Sequence, residues 1–354
     1  MARRSCRDAG SRRHAALTVC RHVGPRPPLR SRPRRCAVWT WPRHRVTGPE
    51  LPRTRHQISR LSEHRRREAV WGVLCVAPAV LGFLLWQLGP ILGSFYIALT
   101  DWRIAGAPSW VGFNNFRRIL AEDRLFRISL GVTAYYSLGS VPLRLLAAFT
   151  LAVLLNQRVR GLPVFRTIFY LPSIVPLIAS SVLWIWLFNP DFGLLNTILV
   201  PLGVPRLQWI YGTATVIPAL VLMSLWDVGP MMVIFLAGLQ GVPRQLYEAV
   251  EIDGGNPWHK MRHVTLPMVT PTILFNLILS VIGAMQTFVQ SYVMTDGGPD
   301  NASLLYVLYL YNKAFEQSQM GYASALAWIL FLIIVGLSVL LFRSSSRWVY
   351  YAGR

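Results

Sequence analysis

Residues 70–100 carry no charged side chain over 31 consecutive positions, well beyond the roughly 20 apolar residues that a helix needs to cross a bilayer core. Five more apolar stretches of crossing length follow, over residues 128–155, 167–188, 213–239, 266–290 and 321–342, two of them with one internal charge. They are continuous blocks, not the alternating segments of about ten residues that build a membrane β-barrel. Because lipid leaves only helices or closed barrels with a satisfied backbone, the pattern predicts an all-α polytopic membrane protein. Its six transmembrane helices occupy residues 69–345, and a short tail covers 346–354.

Composition agrees: of 354 residues 53% are apolar and 14% charged, with a mean hydropathy of +0.40. The formal charge of +21 could suggest nucleic acid, but most of it lies in residues 1–68, where 19 arginines face 4 acids. That Arg/Pro-rich stretch lacks apolar periodicity and is expected to be disordered. It has no apolar run of about 7 to 15 residues to make a signal peptide. Nor does it show the aromatic spacing or folded module of an RNA binder. Another reading leaves part of it untranslated, with a start at a codon such as that of Val46. Cys6, Cys20, Cys36 and Cys75 form no CxxC pair, which supports neither a disulfide framework nor zinc.

Six spans put both termini on one side, and the basic residues make that side the cytoplasm. Arg158, Arg160, Arg166, Arg244, Lys260, Arg262, Arg343, Arg347 and Arg354 lie inside on this reading, joined by Arg60, Arg65, Arg66 and Arg67 ahead of the first span. Outside are Arg206 and Lys313, together with five arginines of the first loop: Arg103, Arg117, Arg118, Arg124 and Arg127. That loop dissents. An interfacial helix with Trp102 and Trp110 at headgroup level accommodates it.

The fourth loop, at residues 240–267, concentrates charge, Gly and Pro. Residues 245–253 are expected to form a short helix after Pro243, with Leu246, Ala249, Val250 and Asp253 on adjacent turns. Gly254 and Gly255 stop it, and a second helical piece starts at Pro257. Glu248 and Glu251 face solvent or a partner, while His259, Lys260, Arg262 and His263 add positive charge near the membrane. By physics alone, this is either a docking element or a solvated hairpin. His259 and His263 have the spacing of two zinc ligands on one helix face, but without HExxH or a nearby Cys they read as a basic juxtamembrane face.

Within the loop, Glu248, Ala249, Val250, Gly254, Val264, Leu266 and Pro267 fit the pattern E-A-A-x3-G-x9-I-x-L-P, with Val250 and Val264 as apolar departures. The pattern resembles that of the integral-membrane permeases of binding-protein-dependent ABC importers. WVGFNNF (110–116), FYLPSIVP (169–176), IFLAGLQGVP (234–243), LPMVTPTILFNL (266–277) and QTFVQSYVMTDGGP (286–299) resemble the sugar-permease branch, which imports maltose, lactose, other oligosaccharides or glycerol-3-phosphate. The resemblance covers roughly residues 65–345. It implies that the loop is a coupling helix seated in a cytoplasmic ABC ATPase dimer, with Glu248 as the acidic anchor and Gly254 as the turn. It further implies a second homologous permease, an extracytoplasmic sugar-binding protein and a bacterial cytoplasmic membrane, with no nucleic-acid partner. This chain has no Walker A loop, since neither Lys260 nor Lys313 sits in G-x-x-x-x-G-K-[ST]. It is therefore expected to be a transport subunit and no enzyme, binding no cofactor, with ATP and Mg on the ATPase.

A charge at the centre of a span costs about 2.5 to 3.5 kcal/mol on insertion scales and usually faces a cavity or a partner. Arg144 and Asp227 are either such functional groups or a structural ion pair. In the fifth span, Gln286 and Gln290 are expected on one helix face with Asn276 nearby. Amides there either meet sugar hydroxyls or bond between helices. In related sugar permeases the fifth span lines the substrate path. Many of them carry Asp after the Phe matching Phe288, where this chain has Val289, so the sugar stays open. The rival reading is a proton-coupled secondary transporter using Asp227, which would carry internal span repeats that the sequence does not show.

Overall fold

The computed structural model describes residues 55–351, apart from 105, 158 and 159. The chain divides into two units, Met1–Trp71 and Gly72–Arg354. In the first, helix α1 (Arg55–Gly82) begins inside the stretch expected to be disordered up to residue 68. The correction has a simple cause: QISRLSEHRRREA is made mostly of good helix formers, so the first span's helix extends backwards. Residues 1–54, with most of the expected tail, lie outside the described residues, as do Arg158 and Arg354 of the charge count.

A π-helical turn at Phe83–Leu88 leads into α2 (Gly89–Ala98), and Arg67–Ala98 makes the first long apolar helix. A two-stranded antiparallel ribbon, β1 (Thr100–Asp101) with β2 (Ser109–Trp110), precedes α3 (Asn114–Ala121) and α4 (Arg124–Leu155). Trp110 belongs to β2 and Trp102 to the connection just after β1, so neither lies in the helix expected to carry them. Next come α5 (Leu162–Tyr170), a 3-10 turn (Leu171–Ile174), α6 (Leu177–Leu187) and α7 (Leu194–Leu199). After α8 (Val216–Ser224), a 3-10 turn (Leu225–Asp227) leads to α9 (Gly229–Gln240). The loop helices α10 (Arg244–Ile252) and α11 (Pro257–Lys260) follow. A π-helical turn at Met261–Thr265 joins α11 to α12 (Leu266–Met285). The described chain closes with α13 (Val289–Met294), α14 (Tyr306–Tyr311) and α15 (Met320–Ser345).

Among the described residues, four helical runs are long and apolar enough to cross a membrane: Arg67–Ala98, Arg124–Leu155, Pro257–Met285 and Met320–Ser345. Two bent pairs, counted as one crossing each, bring the total to the expected six. The third and fourth spans are therefore not the continuous helices expected. The first pair turns through 97° and the second through 52°. Pro172 and Pro176 break the first, and Gly229-Pro230 the second, because proline lacks the N–H that an inner helical turn needs. The two bends pack together. A Cβ at Gly229 would lie 2.9 Å from the Phe169 carbonyl oxygen and 3.0 Å from Tyr170 Cα, so only glycine fits this approach.

Helix α4 is the central strut, packed against α8, α9, α12 and α14. Its buried face includes Ser129, Thr133, Ser137, Ser140, Ala148 and Ala152. Small side chains let membrane helices approach closely. The Tyr306 N–H donates to Thr133 Oγ1 at 2.8 Å, bonding α14 to this face. Just ahead of α4, Asp123 accepts the Phe126 N–H at 3.1 Å as a helix cap. Its other carboxylate oxygen accepts the hydroxyls of Tyr309 and Tyr322, tying α4 to α14 and α15. Burial pushes the Asp123 carboxyl up, but the two phenols, the Phe126 N–H and the Lys313 charge outweigh it and hold the carboxyl below its ordinary 3.8.

A depressed carboxyl stabilises the fold above the unfolded value, and that stability is lost as pH falls through the folded one. Asp123→Asn should lower the unfolding temperature of the detergent-solubilised protein at neutral pH. The gap from wild type should narrow only once the pH falls below 3.8. A pH-independent gap would mean that the carboxylate charge does not hold this junction.

Candidate functional site

Two places gather polar groups that the fold alone does not require. The first is the loop between α9 and α12. Pro243 precedes α10, and Gly254, at φ +75°, ends it in the left-handed region with its N–H on the Glu251 carbonyl. The helix is one residue offset from the expected 245–253, with Asp253 just past its end. Tyr247 and Val250 turn inward onto the end of the core around Phe235, Leu239 and the buried Val264. The Tyr247 hydroxyl lies 3.1 Å from Thr265 Oγ1, and Lys260 donates to Glu251. The Asn256 side chain caps α11 by accepting the His259 N–H at 2.9 Å.

These contacts brace α10 against the start of the fifth crossing, which runs without a break from Pro257 to Met285. Leu266 and Pro267, expected to open that span, lie two turns inside it. Glu248, Ala249 and the 86% exposed Ile252 share the outward face of α10 at helical spacings of three and four. This face combines one carboxylate with unpaired apolar surface, on a helix that cannot swing freely. His259 and His263 stack with ring centroids 5.9 Å apart. Nδ1 of His259 is 2.7 Å from Asn256 Oδ1, and Nδ1 of His263 is 3.2 Å from the His259 carbonyl.

The second place is where the two bends meet. Arg144 of α4 donates from Nη2 to the main-chain carbonyl of Asp227 at 3.0 Å and lies 4.0 Å from its carboxylate. One cavity, of about 280 Å³, is lined by this pair with Gln290, Trp226, Ser173 and Ser180. A second, of about 270 Å³, uses the same pair with Asn276, Ser280 and Met231. Arg144 Nε, Asp227 Oδ1 and Asn276 Nδ2 are buried without a hydrogen-bond partner among the described residues. Buried polar atoms are nearly always paired, so these three are available to a ligand or water.

Arg144, Asp227, Asn276 and Gln290 are thus brought to adjoining cavities, but Gln286 is not. α12 ends at Met285, Gln286 caps it at φ −102°, and Gln290 belongs to α13. The expected shared face of the two glutamines is lost because Thr287 and Phe288 interrupt the helix. Trp226, the serines, Tyr247 and the pairing of Lys260 with Glu251 escaped sequence reasoning. The cavity brings together segments far apart in the chain, Ser173 and Gln290 being 117 residues apart, and only Pro172, Pro176 and Pro230 hinted at such bends.

A family model described as binding-protein-dependent transport system inner membrane component matches residues 141–349. The chain is 38% identical to the probable ABC transporter permease protein YesP of Bacillus subtilis, over 82% of this chain and 94% of that one. It is 33% identical to the trehalose/maltose transport system permease protein MalF of Thermococcus litoralis, over 78% and 94%. Among solved structures, a bacterial ABC transporter involved in the import of the acidic polysaccharide alginate superposes with a TM-score of 0.70. At 20% identity, over 81% of this chain and 99% of that one, it shares the fold.

The Arg144 contact can be dissected. Asp227→Asn keeps the main-chain carbonyl that Arg144 binds and should cost no more than about 1 kcal/mol of stability. Arg144→Met strips that carbonyl and the carboxylate together and should cost about 1 to 3 kcal/mol. Thermal unfolding in detergent would compare them, and a larger loss for Asp227→Asn would reverse the assignment.

Proposed function

The chain belongs to the family of binding-protein-dependent transport system inner membrane components, and on that footing we propose that it is the permease subunit of an ABC importer for a sugar. The sugar is handed over by an extracytoplasmic binding protein, and a separate cytoplasmic ATPase dimer supplies the energy. The observation that carries this reading is α10: an exposed helix with Glu248 outward, braced by Tyr247 and Lys260 onto the fifth span. Closure of an ATPase dimer against that face would move α10 and α12 as one body, the kind of rigid switch that alternating access needs. One chain offers one such loop, so a second, homologous permease completes the pair. Both termini lie in the cytoplasm, as the basic loops suggest.

The sugar would pass the cavities at the two bends. Trp226 offers an apolar ring face, while Gln290, Asn276 and the serines offer amides and hydroxyls, the mixture that suits pyranose rings. Likeness to a trehalose/maltose permease favours the same substrate class. A proton-coupled transporter built on Asp227 finds no support, for Arg144 engages that residue and the family is one of ABC import components.

Glu248→Lys reverses the one carboxylate on the outward face of α10 while leaving the helix intact. Losing a buried charge pair costs about 2 to 5 kcal/mol, so transport should fall about tenfold or more. Membrane insertion should be unchanged and basal ATP hydrolysis retained. Gly254→Val should uncouple by another route, because a β-branched residue resists φ +75°. Wild-type ATPase co-purification and uptake in both variants would reduce the loop to a connector.

The substrate assignment has its own test. Proteoliposomes of the whole importer would be offered a panel of disaccharides, oligosaccharides and glycerol phosphates. Trp226→Ala and Gln290→Leu should each raise the apparent KM for the accepted sugar several-fold while leaving assembly intact. Unaltered kinetics in both variants would remove the cavity from the path.

A further inference from the structure

The importer reading leaves the five arginines of the first loop unused. They sit where spans end: α2 stops at Ala98, α4 starts at Arg124 and α15 starts at Met320. Helix α3 is pinned there. Asn115 Nδ2 donates at 2.9 Å to the carbonyls of both Ala98 and Thr100, and Arg118 lies over the Tyr322 ring, 5.7 Å from its centroid. These anchors set α3 at the boundary between hydrocarbon and water, whichever side of the membrane the loop occupies.

The outer face of α3 and its cap runs Phe113, Arg117, Leu120, with the two apolar residues 69% and 61% exposed. On α4 the exposed stripe begins with Arg124 and Arg127 and continues through Gly131, Tyr135 and Leu138 at helical spacing. Tyr135 lies about 16 Å below Arg124 along the helix. No ion pair engages any of the five arginines among the described residues. Arg124 and Arg127 therefore head an exposed apolar stripe that descends along the second crossing, with Arg117 on the exposed face of the helix just before it. A water-soluble acidic protein could meet this arginine rim but could not follow the stripe, whereas a phospholipid matches both.

We propose that this rim is a binding site for anionic phospholipid. Arg117, Arg124 and Arg127 hold the phosphate groups, which suit the planar fork of guanidinium. Acyl chain lies along Tyr135 and Leu138. The site also accounts for arginines on a loop where the charge rule expects few: headgroup phosphate offsets the charge that the loop carries.

Native mass spectrometry of the full-length protein in detergent, titrated with dioleoylphosphatidylglycerol or dioleoylphosphatidylcholine, tests this. Wild type should retain the anionic lipid about tenfold more strongly or better, given the strength of basic side chains at a lipid surface. The triple variant Arg117→Ala, Arg124→Ala, Arg127→Ala should lose that preference, the triple Lys variant should keep most of it, and Arg160→Ala in another loop should leave it untouched. All replaced side chains are exposed, and thermal unfolding would verify that each variant folds. Equal retention of the two lipids by wild type would overturn the proposal, as would a preference that survives the alanine triple. Equal retention together with weaker docking of the importer's binding protein to the triple variant would instead assign the rim to an acidic protein surface.

Discussion

Inside a bilayer the chain must satisfy its own backbone, because no water is there to do it. The architecture follows from where that rule is kept and where it is bent. The long spans keep it chiefly by helical bonding. The broken spans need outside help, and at the break between α8 and α9 it comes from Arg144, whose guanidinium takes the Asp227 carbonyl at 3.0 Å. A cation that would be expensive in lipid therefore has a main-chain partner. The same break opens the polar cavities, since a helix that turns cannot pack as closely against its neighbours as one that continues.

Support for α10 follows a different logic. A helix of nine residues is too short to be stable by itself in water, so its order is borrowed from packing. Tyr247 and Val250 supply the apolar anchor, and the Glu251–Lys260 pair joins the two sides of the turn. That pair is half-exposed, with Glu251 the more open partner, and adds only modest stability alone, so its worth lies in fixing direction. What remains unpaired on the helix, Glu248 and Ile252 above all, is therefore presented rigidly.

The number of spans and the position of the loop helix were legible in the sequence because both depend on local composition: long apolar runs, then Pro243 and the Gly254-Gly255 stop. The bends were hidden. Hydropathy measures how apolar a stretch is, not which way it points, and Pro172, Pro176 and Pro230 sit in segments apolar enough to read as single helices. The pairing of Gln286 with Gln290 failed for the same reason, since helical spacing was projected across Thr287 and Phe288, where the helix stops. Arg144 and Asp227 could be singled out as costly charges. That they meet, 83 residues apart, is a property of the folded chain.

The two candidate places are joined by one element. From Pro257 to Met285 the fifth crossing is a single helical run of 29 residues. Thr265, at the brace, and Asn276, in the cavity wall, lie about 16 Å apart along it. Asn276 is buried at 2% exposure, so even a small translation of this helix must change what its amide meets. The π-helical turn at Met261–Thr265 follows the brace residue Lys260 and ends on the brace residue Thr265. Such turns insert a residue into the helical repeat, and this one sets the rotational phase between α11, which receives any push, and α12, which lines the cavity. Displacement at α10 therefore passes to the fifth crossing through the Tyr247–Thr265 and Glu251–Lys260 contacts, and from Thr265 to Asn276 through bonded backbone.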